Sequence, residues 1–434
     1  MFSSTKKNAL IYLTMALLLV AFVPFQVTAK ELIDMSIEDL LGLDFSDKTQ
    51  EGITIYGYMS TNVEKVFSEL SVDENGQTVR TTSPHEWSLP HFNLFLRAPI
   101  GNKISTFVNI ASEDLEVRNM WGNFEIDPRF QVQFGKIYRE FDLFNSKLDE
   151  VPTYLGIEPP ELFDSDHLLI PRLTTFVVHG TFTSGKNSYS YNFSTDNGEN
   201  GPSDGVFPLG WDFRANLNNK AIVGVSGYFS SIGNGKVSSD KAVGEGSPDG
   251  GVLPWMASDD YRVYGAFTEL QFDKFLIKAA FYQSDHNAVR DPDAVLTVLN
   301  EAGLNNRQIE RFIGPNILIT DATAADVILN ADYSVQTGYF RVGYFFDSKY
   351  GTIAPFAFFD WMDHPEVIAS KTYGGDNESG ISDNGNFTKY TAGVSYKPVD
   401  QVAIKLDSSL HVQKFNSKTE SYPEVRFDIS YLFK

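Results

Sequence analysis

Val425-Arg426-Phe427-Asp428-Ile429-Ser430-Tyr431-Leu432-Phe433-Lys434 ends the chain and sorts its residues by parity. Val425, Phe427, Ile429, Tyr431 and Phe433 fall on one side; Arg426, Asp428, Ser430, Leu432 and Lys434 fall on the other. Side chains alternate faces along a strand, so one face is apolar and aromatic while the other is largely charged or polar. Such a strand suits either a half-buried place in a soluble sandwich or the wall of a barrel standing in lipid. The choice between them lies in the rest of the chain.

At the opposite end, Lys6 and Lys7 precede an apolar run from Ile11 to Val23 and the small-residue stretch Val27-Thr28-Ala29. This pattern predicts a cleaved export signal over 1–29. The chain has no Cys, so neither a lipoprotein anchor nor a disulfide framework is expected. No later segment is long and apolar enough to cross a membrane as a helix, whereas barrel strands hide their apolar residues at alternate positions. The formal charge of −21 becomes −23 once Lys6 and Lys7 leave with the signal, which disfavours nucleic acid as a partner. Phe and Tyr are abundant, at 35 and 20 residues, as aromatic girdles in a bilayer require.

From Ile53 onward the alternation repeats. Phe92, Leu94, Leu96 and Ala98 oppose Asn93, Phe95 and Arg97; Ile104, Thr106, Val108 and Ile110 oppose Ser105, Phe107 and Asn109. Trp211, Phe213, Ala215 and Leu217 oppose Asp212, Arg214 and Asn216, and the last strand repeats the scheme. The reading gives sixteen strands over 53–434. Short turns fall at 99–102, 127–129, 184–187, 218–220, 271–273, 347–350 and 397–400. Long polar loops fall at 61–90, 139–172, 195–209, 231–259, 285–332, 362–386 and 413–423, and only the 112–115 connection is short on that side. Turns on one rim, loops on the other and an even strand count predict an all-β, transmembrane antiparallel barrel with periplasmic turns and extracellular loops. A soluble sandwich has no reason to sort its connections in this way.

A barrel of this size leaves an aqueous channel. Parity points Arg97, Arg214, Lys278, Arg341, Lys389, Lys405 and Arg426 inward, with fewer acids among them, so the wall is more basic than the whole chain. The 139–172 loop is too apolar for a solvated hairpin, with Tyr154, Leu155, Ile157, Leu162, Phe163 and Leu168, and needs a surface to pack on. It also carries Glu140, Asp142, Asp149, Glu150, Glu158, Glu161, Asp164 and Asp166.

In this sorted architecture and this loop the chain resembles the sixteen-stranded porins of Gram-negative outer membranes, over its whole mature length. The resemblance implies that the 139–172 loop folds into the barrel and narrows it. Its acids would then face the basic wall and set a transverse field for water and polar solutes. It also implies residence in the outer membrane, contact with lipid and lipopolysaccharide, assembly through the C-terminal strand by the barrel assembly machinery, and a homotrimer. The short 112–115 connection departs from the family, because the corresponding loop often latches a neighbour. Lys434 departs too, since the terminal assembly signal usually ends on its aromatic residue.

Residues 30–52 read as a periplasmic extension. Ser36-Ile37-Glu38-Asp39-Leu40-Leu41 forms a short capped helix that Gly42 can end, and resembles the segment ahead of the first strand in many outer-membrane barrels. In the 285–332 loop, Asp291-Pro292-Asp293 starts a helix, and a second is expected over 305–313. The acidic, Gly-rich segments 196–205 and 374–385 lack the ordered spacing of a calcium loop. Seven His are present, with no nucleophile elbow, metal pair or phosphate loop. The expected function is passive diffusion of small hydrophilic solutes with a lean toward anions or sugar acids, without cofactor, metal or catalysis. The alternative is a closed barrel that binds ligands or adheres through its loops.

Overall fold

The period-2 pattern closes into one continuous hydrogen-bonded wall. The computed structural model describes residues 36–41, 43, 52–72, 78–84, 86–87, 91–111, 116–163, 169–170, 172–196, 207–232, 253, 255–302, 306–368 and 380–434. The expected signal at 1–29, the 112–115 connection, Asp164 and Asp166 lie outside these residues.

The wall begins with β1 (Thr54–Val66), β2 (His91–Ile100), β3 (Ile104–Ala111), β4 (Glu116–Asp127) and β5 (Phe130–Tyr138). It continues through β6 (Leu173–Ser184), β7 (Asn187–Thr195), β8 (Leu209–Leu217), β9 (Ala221–Ile232), β10 (Met256–Phe272) and β11 (Phe275–Arg290). It ends with β12 (Asn330–Tyr344), β13 (Gly351–Asp363), β14 (Asn386–Val399), β15 (Val402–Phe415) and β16 (Lys418–Phe433). Each strand pairs antiparallel with its neighbours. The sheet also contains two short pieces, Glu86–Trp87 against β1 and Phe346–Ser348 against β13. The circle shuts where β1 meets β2 on one side and β16 on the other, with Gly57 opposite Phe433 and Val66 opposite Glu424. Among the described residues the barrel wall has no open edge, and a separate two-stranded hairpin, Glu69–Val72 with Thr78–Thr81, stands outside it.

Parity falls as the sequence requires. Glu424, Arg426, Asp428, Ser430 and Leu432 are buried inside, while Val425, Ile429 and Tyr431 are exposed outside. Phe134, Phe176, Phe182, Phe193, Phe213, Phe340 and Tyr390 are likewise exposed on the outer surface. Among the described residues no helix is long and apolar enough to cross a membrane. An apolar, aromatic exterior around a charged interior is the arrangement of an outer-membrane barrel in lipid.

The last hairpin departs from the sequence reading. Instead of a long loop over 413–423, β15 and β16 continue to a two-residue turn at Asn416 and Ser417, with φ of 52° and 63°. Positive φ at both positions matches the twist of a tight hairpin. The strand looked finished in the sequence because its apolar face stops near Leu410, yet the backbone ladder needs no apolar face to go on.

Among the described residues there are three α-helices, α1 (Ile37–Leu41), α2 (Pro292–Glu301) and α3 (Asn306–Ile313), and five single-turn 3-10 helices, three of them in the 139–172 loop. Asp291 caps α2 by accepting from the amides of Asp293 at 3.0 Å and Ala294 at 3.1 Å. Val295, Val298, Leu299, Phe312 and Ile313 pack with Leu253, Trp255, Val367 and Ile368 as a small apolar cap on the long-loop rim. Arg290 holds the cap's edge through Glu366, with Nη2 to Oε1 at 2.5 Å.

Gly57 tests the seam. A Cβ there would collide with the Asn93 carbonyl oxygen and press on the Phe433 ring. Gly57→Leu is therefore expected to prevent closure, read as loss of the heat-modifiable folded band on a denaturing gel.

Candidate functional site

The 139–172 loop turns into the barrel because its first residues are anchored to the inner wall. Arg139 is fully buried; it pairs with Asp196, donates to Ser194 Oγ at 2.6 Å and lies over the Tyr228 ring at 4.5 Å. Asn145 Nδ2 donates to the carbonyls of Arg139 at 2.8 Å and Arg172 at 3.1 Å, tying the two ends of the loop together. Asp142 adopts a left-handed φ of 59°. Its carboxylate accepts from Tyr339 Oη at 2.7 Å, Tyr282 Oη at 3.1 Å and the Leu143 amide at 2.5 Å. Beyond it, Phe141, Leu143, Phe144, Leu162 and Phe163 pack on wall residues Tyr228, Val263, Phe267, Tyr282 and Val335. The apolar content of the loop, legible in the sequence, is what covers this part of the wall.

The loop carboxylates meet the wall cations in direct contact. Glu140 pairs with Arg214 at 2.6 Å, and Arg214 also holds Asp212 at 2.6 Å. Lys389 binds Glu158 at 2.9 Å and Glu161 at 2.5 Å, and Arg426 pairs with Glu158 and with Glu424 at 2.5 Å. Arg341 reaches Asp360 at 3.3 Å, donates to the Glu158 carbonyl at 2.7 Å and stacks over Phe358 at 4.3 Å. Lys405, fully buried, donates to the carbonyls of Val151 at 2.7 Å and Gly156 at 2.8 Å. Lys278 pairs with Glu269 at 2.8 Å. The expectation was a field across an open gap; along β8–β16 the gap is replaced by ion pairs.

Glu64, Glu158 and Glu424 bring oxygens within 4.8 Å of one another. Arg426 contacts all three and Lys389 reaches Glu158 and Glu424, so two side-chain cations already occupy the cluster.

Among the described residues, two cavities flank the loop, the larger on the side of β2–β7. A cavity of about 190 Å³ is lined by Asn109, Asn119, Trp121, Gln133 and Asn192 from β3, β4, β5 and β7, and by Glu140, Asp149 and Glu150 from the loop. Arg97 is the one wall cation of the expected set that lines it. Asn109 Nδ2 donates to Asp149 at 2.7 Å. A stacked row of inward rings runs round the wall here: Tyr56–Phe95 at 5.3 Å, Phe95–Phe107 at 5.8 Å and Phe107–Trp121 at 5.3 Å between centroids. A second cavity, of about 90 Å³, lies under the loop between Lys147, Lys278, Arg341 and Lys397.

α1 sits inside the short-turn end of the barrel. Ile37, Leu40 and Leu41 are buried against Tyr56, Tyr58, Phe95 and Leu432. The Ile37 amide donates to Glu150 Oε2 at 3.2 Å, and Lys434 Nζ donates to the Leu41 carbonyl at 2.7 Å. The sequence reading made this helix part of a periplasmic extension; its apolar side instead finds inward-facing rings. Only the Ile37, Leu40 and Leu41 spacing on one helix face hinted at that.

One constellation escaped the sequence altogether. Ser284 Oγ lies 2.6 Å from His286 Nε2, and His286 Nδ1 lies 2.7 Å from Asp259 Oδ2. Those residue types suit nucleophilic catalysis. Ser284 is fully buried, however, and the His286 ring is clamped between Tyr261 at 5.4 Å and Tyr333 at 4.3 Å. No substrate carbonyl could approach the hydroxyl, so the chain serves packing. Asp285, adjacent in sequence, faces the other way and accepts from Tyr264 Oη at 2.8 Å.

No family model matches the chain, and no curated protein does. Among solved structures, the chain is similar to the outer membrane channel DcaP of Acinetobacter baumannii, at 10% identity and a TM-score of 0.51, over 90% of this chain and 99% of that one. It also aligns with OmpF of Salmonella typhi at 11% identity and a TM-score of 0.49, over 88% of this chain and 97% of that one. An anion-selective porin from Comamonas acidovorans aligns at 11% identity and a TM-score of 0.49, over 88% of this chain and all of that one. At these identities the likeness is one of fold: the chain has the closed sixteen-strand architecture of outer-membrane porins.

Lys389 is buried among three carboxylates; removing it takes away the ion pair of Glu161 and leaves Glu158 and Glu424 to Arg426 alone. Lys389→Met is expected to destabilise the barrel by about 3–5 kcal/mol. Guanidinium unfolding of the detergent-solubilised protein measures this, and protease cleavage within 151–163 should rise in parallel.

Proposed function

We propose that this protein is an outer-membrane porin through which small hydrophilic solutes diffuse passively. The observation that carries the reading is the infolded 139–172 loop, which packs on β8–β16 and leaves a polar cavity beside β2–β7. A closed barrel with a polar, partly filled lumen and an apolar exterior suits transit across lipid rather than catalysis.

The charge of the remaining path differs from the charge of the whole inner wall. Arg214, Lys278, Arg341, Lys389 and Arg426 are matched by acids at contact distance. Along the larger cavity, Asp149 and Glu150 stand against Arg97 while Glu140 is held by Arg214; the smaller cavity is lined by Lys147, Lys278, Arg341 and Lys397. The balance in the larger cavity supports neutral and cationic solutes there, in place of the anion or sugar-acid preference that counting inward cations suggests. α1 narrows the short-turn end of the lumen and acts as an internal restriction.

The cap formed by α2 and α3 favours a second reading, a closed barrel that presents its long loops as a receptor. Planar-bilayer recording separates the two. A porin gives stepwise conductance with cations passing at least as readily as chloride; strong chloride preference would overturn the charge argument, and absence of conductance would leave the receptor.

Leu40→Glu places a charge among Tyr56, Phe95 and Leu432, and is expected to release α1 and raise the single-channel conductance. Unchanged conductance in a folded Leu40→Glu barrel would remove α1 as a restriction.

A further inference from the structure

The 190 Å³ cavity has chemistry that simple water-filled passage does not require. Its wall presents Phe107 and Trp121 from adjoining strands, offset-stacked with centroids 5.3 Å apart, and Trp121 ends the stacked row that runs through Phe95 and Phe107. Aromatic faces carry partial negative charge and attract polarised C–H groups and other electropositive surfaces. Around them the cavity is rich in acceptors: the carboxylates of Glu140, Asp149 and Glu150, and the amides of Asn109 and Asn192. Asn109 is 1% exposed and Asn192 is 7% exposed, and the side-chain oxygen of each has no hydrogen-bond donor. Buried acceptors left unsatisfied cost about 1–3 kcal/mol each, so a donor-bearing guest that reached these two would relieve that cost.

We infer that this cavity is a binding subsite for a polyhydroxylated ring, a neutral pyranoside whose C–H face lies on Phe107 and Trp121 and whose hydroxyls donate to Asn109, Asn192 and Asp149. The inference rests on the porin reading and names the solute class for that path. A pyranoside supplies both halves of what the cavity asks for: a flat C–H face for the rings and several O–H donors for the acceptors. A simple polyamine supplies donors and charge without a ring face. An open-chain polyol supplies hydroxyls without a fixed face. The inner rings Tyr56 and Phe95 continue the same row beneath α1, so the row is longer than the part the cavity reaches.

The test uses the full-length mature barrel in planar bilayers, with cellobiose, sorbitol and putrescine as probes. Cellobiose is expected to interrupt the ion current in a concentration-dependent way, with sorbitol and putrescine far weaker. Trp121→Leu keeps most of the volume and removes the π face; it is expected to raise the half-blocking cellobiose concentration about tenfold. Asn192→Leu, which removes one acceptor, should shift it in the same direction. Phe107→Leu is the alternative if Trp121→Leu lacks the heat-modifiable folded band. Conductance without cellobiose block, block indifferent to both ring substitutions, or block by putrescine in place of cellobiose would each overturn the subsite. If the barrel does not conduct, the porin reading fails by itself. Calorimetric titration of cellobiose into the detergent-solubilised protein then still decides the subsite, with no heat of binding counting against it.

Discussion

The arrangement of the lumen depends on buried charges that cannot stand alone. Lys389, Arg426 and Arg341 sit on the inner wall with almost no exposure, and the 139–172 loop supplies Glu158, Glu161 and the Glu158 carbonyl to meet them. Taking one partner away from such a pair leaves an uncompensated charge in a poorly solvated place, and that cost exceeds the gain from forming the pair. Wall and loop therefore fix each other. The loop's apolar side, through Phe141, Phe144 and Phe163, adds contact area, but the ion pairs set where along β12–β16 it rests.

That fixation decides which half of the barrel is filled. With the loop held on β8–β16, the larger cavity falls beside β2–β7, where Arg97 is joined by amides and aromatic rings. The charges that line this cavity are Arg97, Asp149 and Glu150, together with Glu140, which is held by Arg214. Net wall charge is a poor guide to selectivity when most of that charge is cancelled within 3 Å. α1 completes the filling from the other end, its Ile37 amide meeting the loop at Glu150.

Much of the wall was legible because strand periodicity is a local property. Arg426 and Val425 face opposite ways for the same reason as Lys389 and Tyr390, and the lipid outside punishes any slip of register. The α2 cap was legible as well, since Asp291-Pro292 states it within three residues. The β15–β16 turn was not, because its polar residues beyond the apolar band look like loop while the backbone ladder continues. Nor was the docking of α1, whose partners Tyr56, Phe95 and Leu432 lie on strands at both ends of the chain.

The sequence by itself determined the barrel, its strand parity, the sorting of turns from loops, and the identity of the long apolar, acidic loop. Each of these is written in residues a few positions apart. Only the tertiary structure decided which carboxylate meets which cation, that Asp259, Ser284 and His286 are locked away, and that Phe107 and Trp121 border the space that remains. Those are contacts between residues tens to hundreds of positions apart, such as Glu158 with Arg426. Closure of the wall and folding of the loop into it bring them together, and nothing in the local pattern encodes the distance between them.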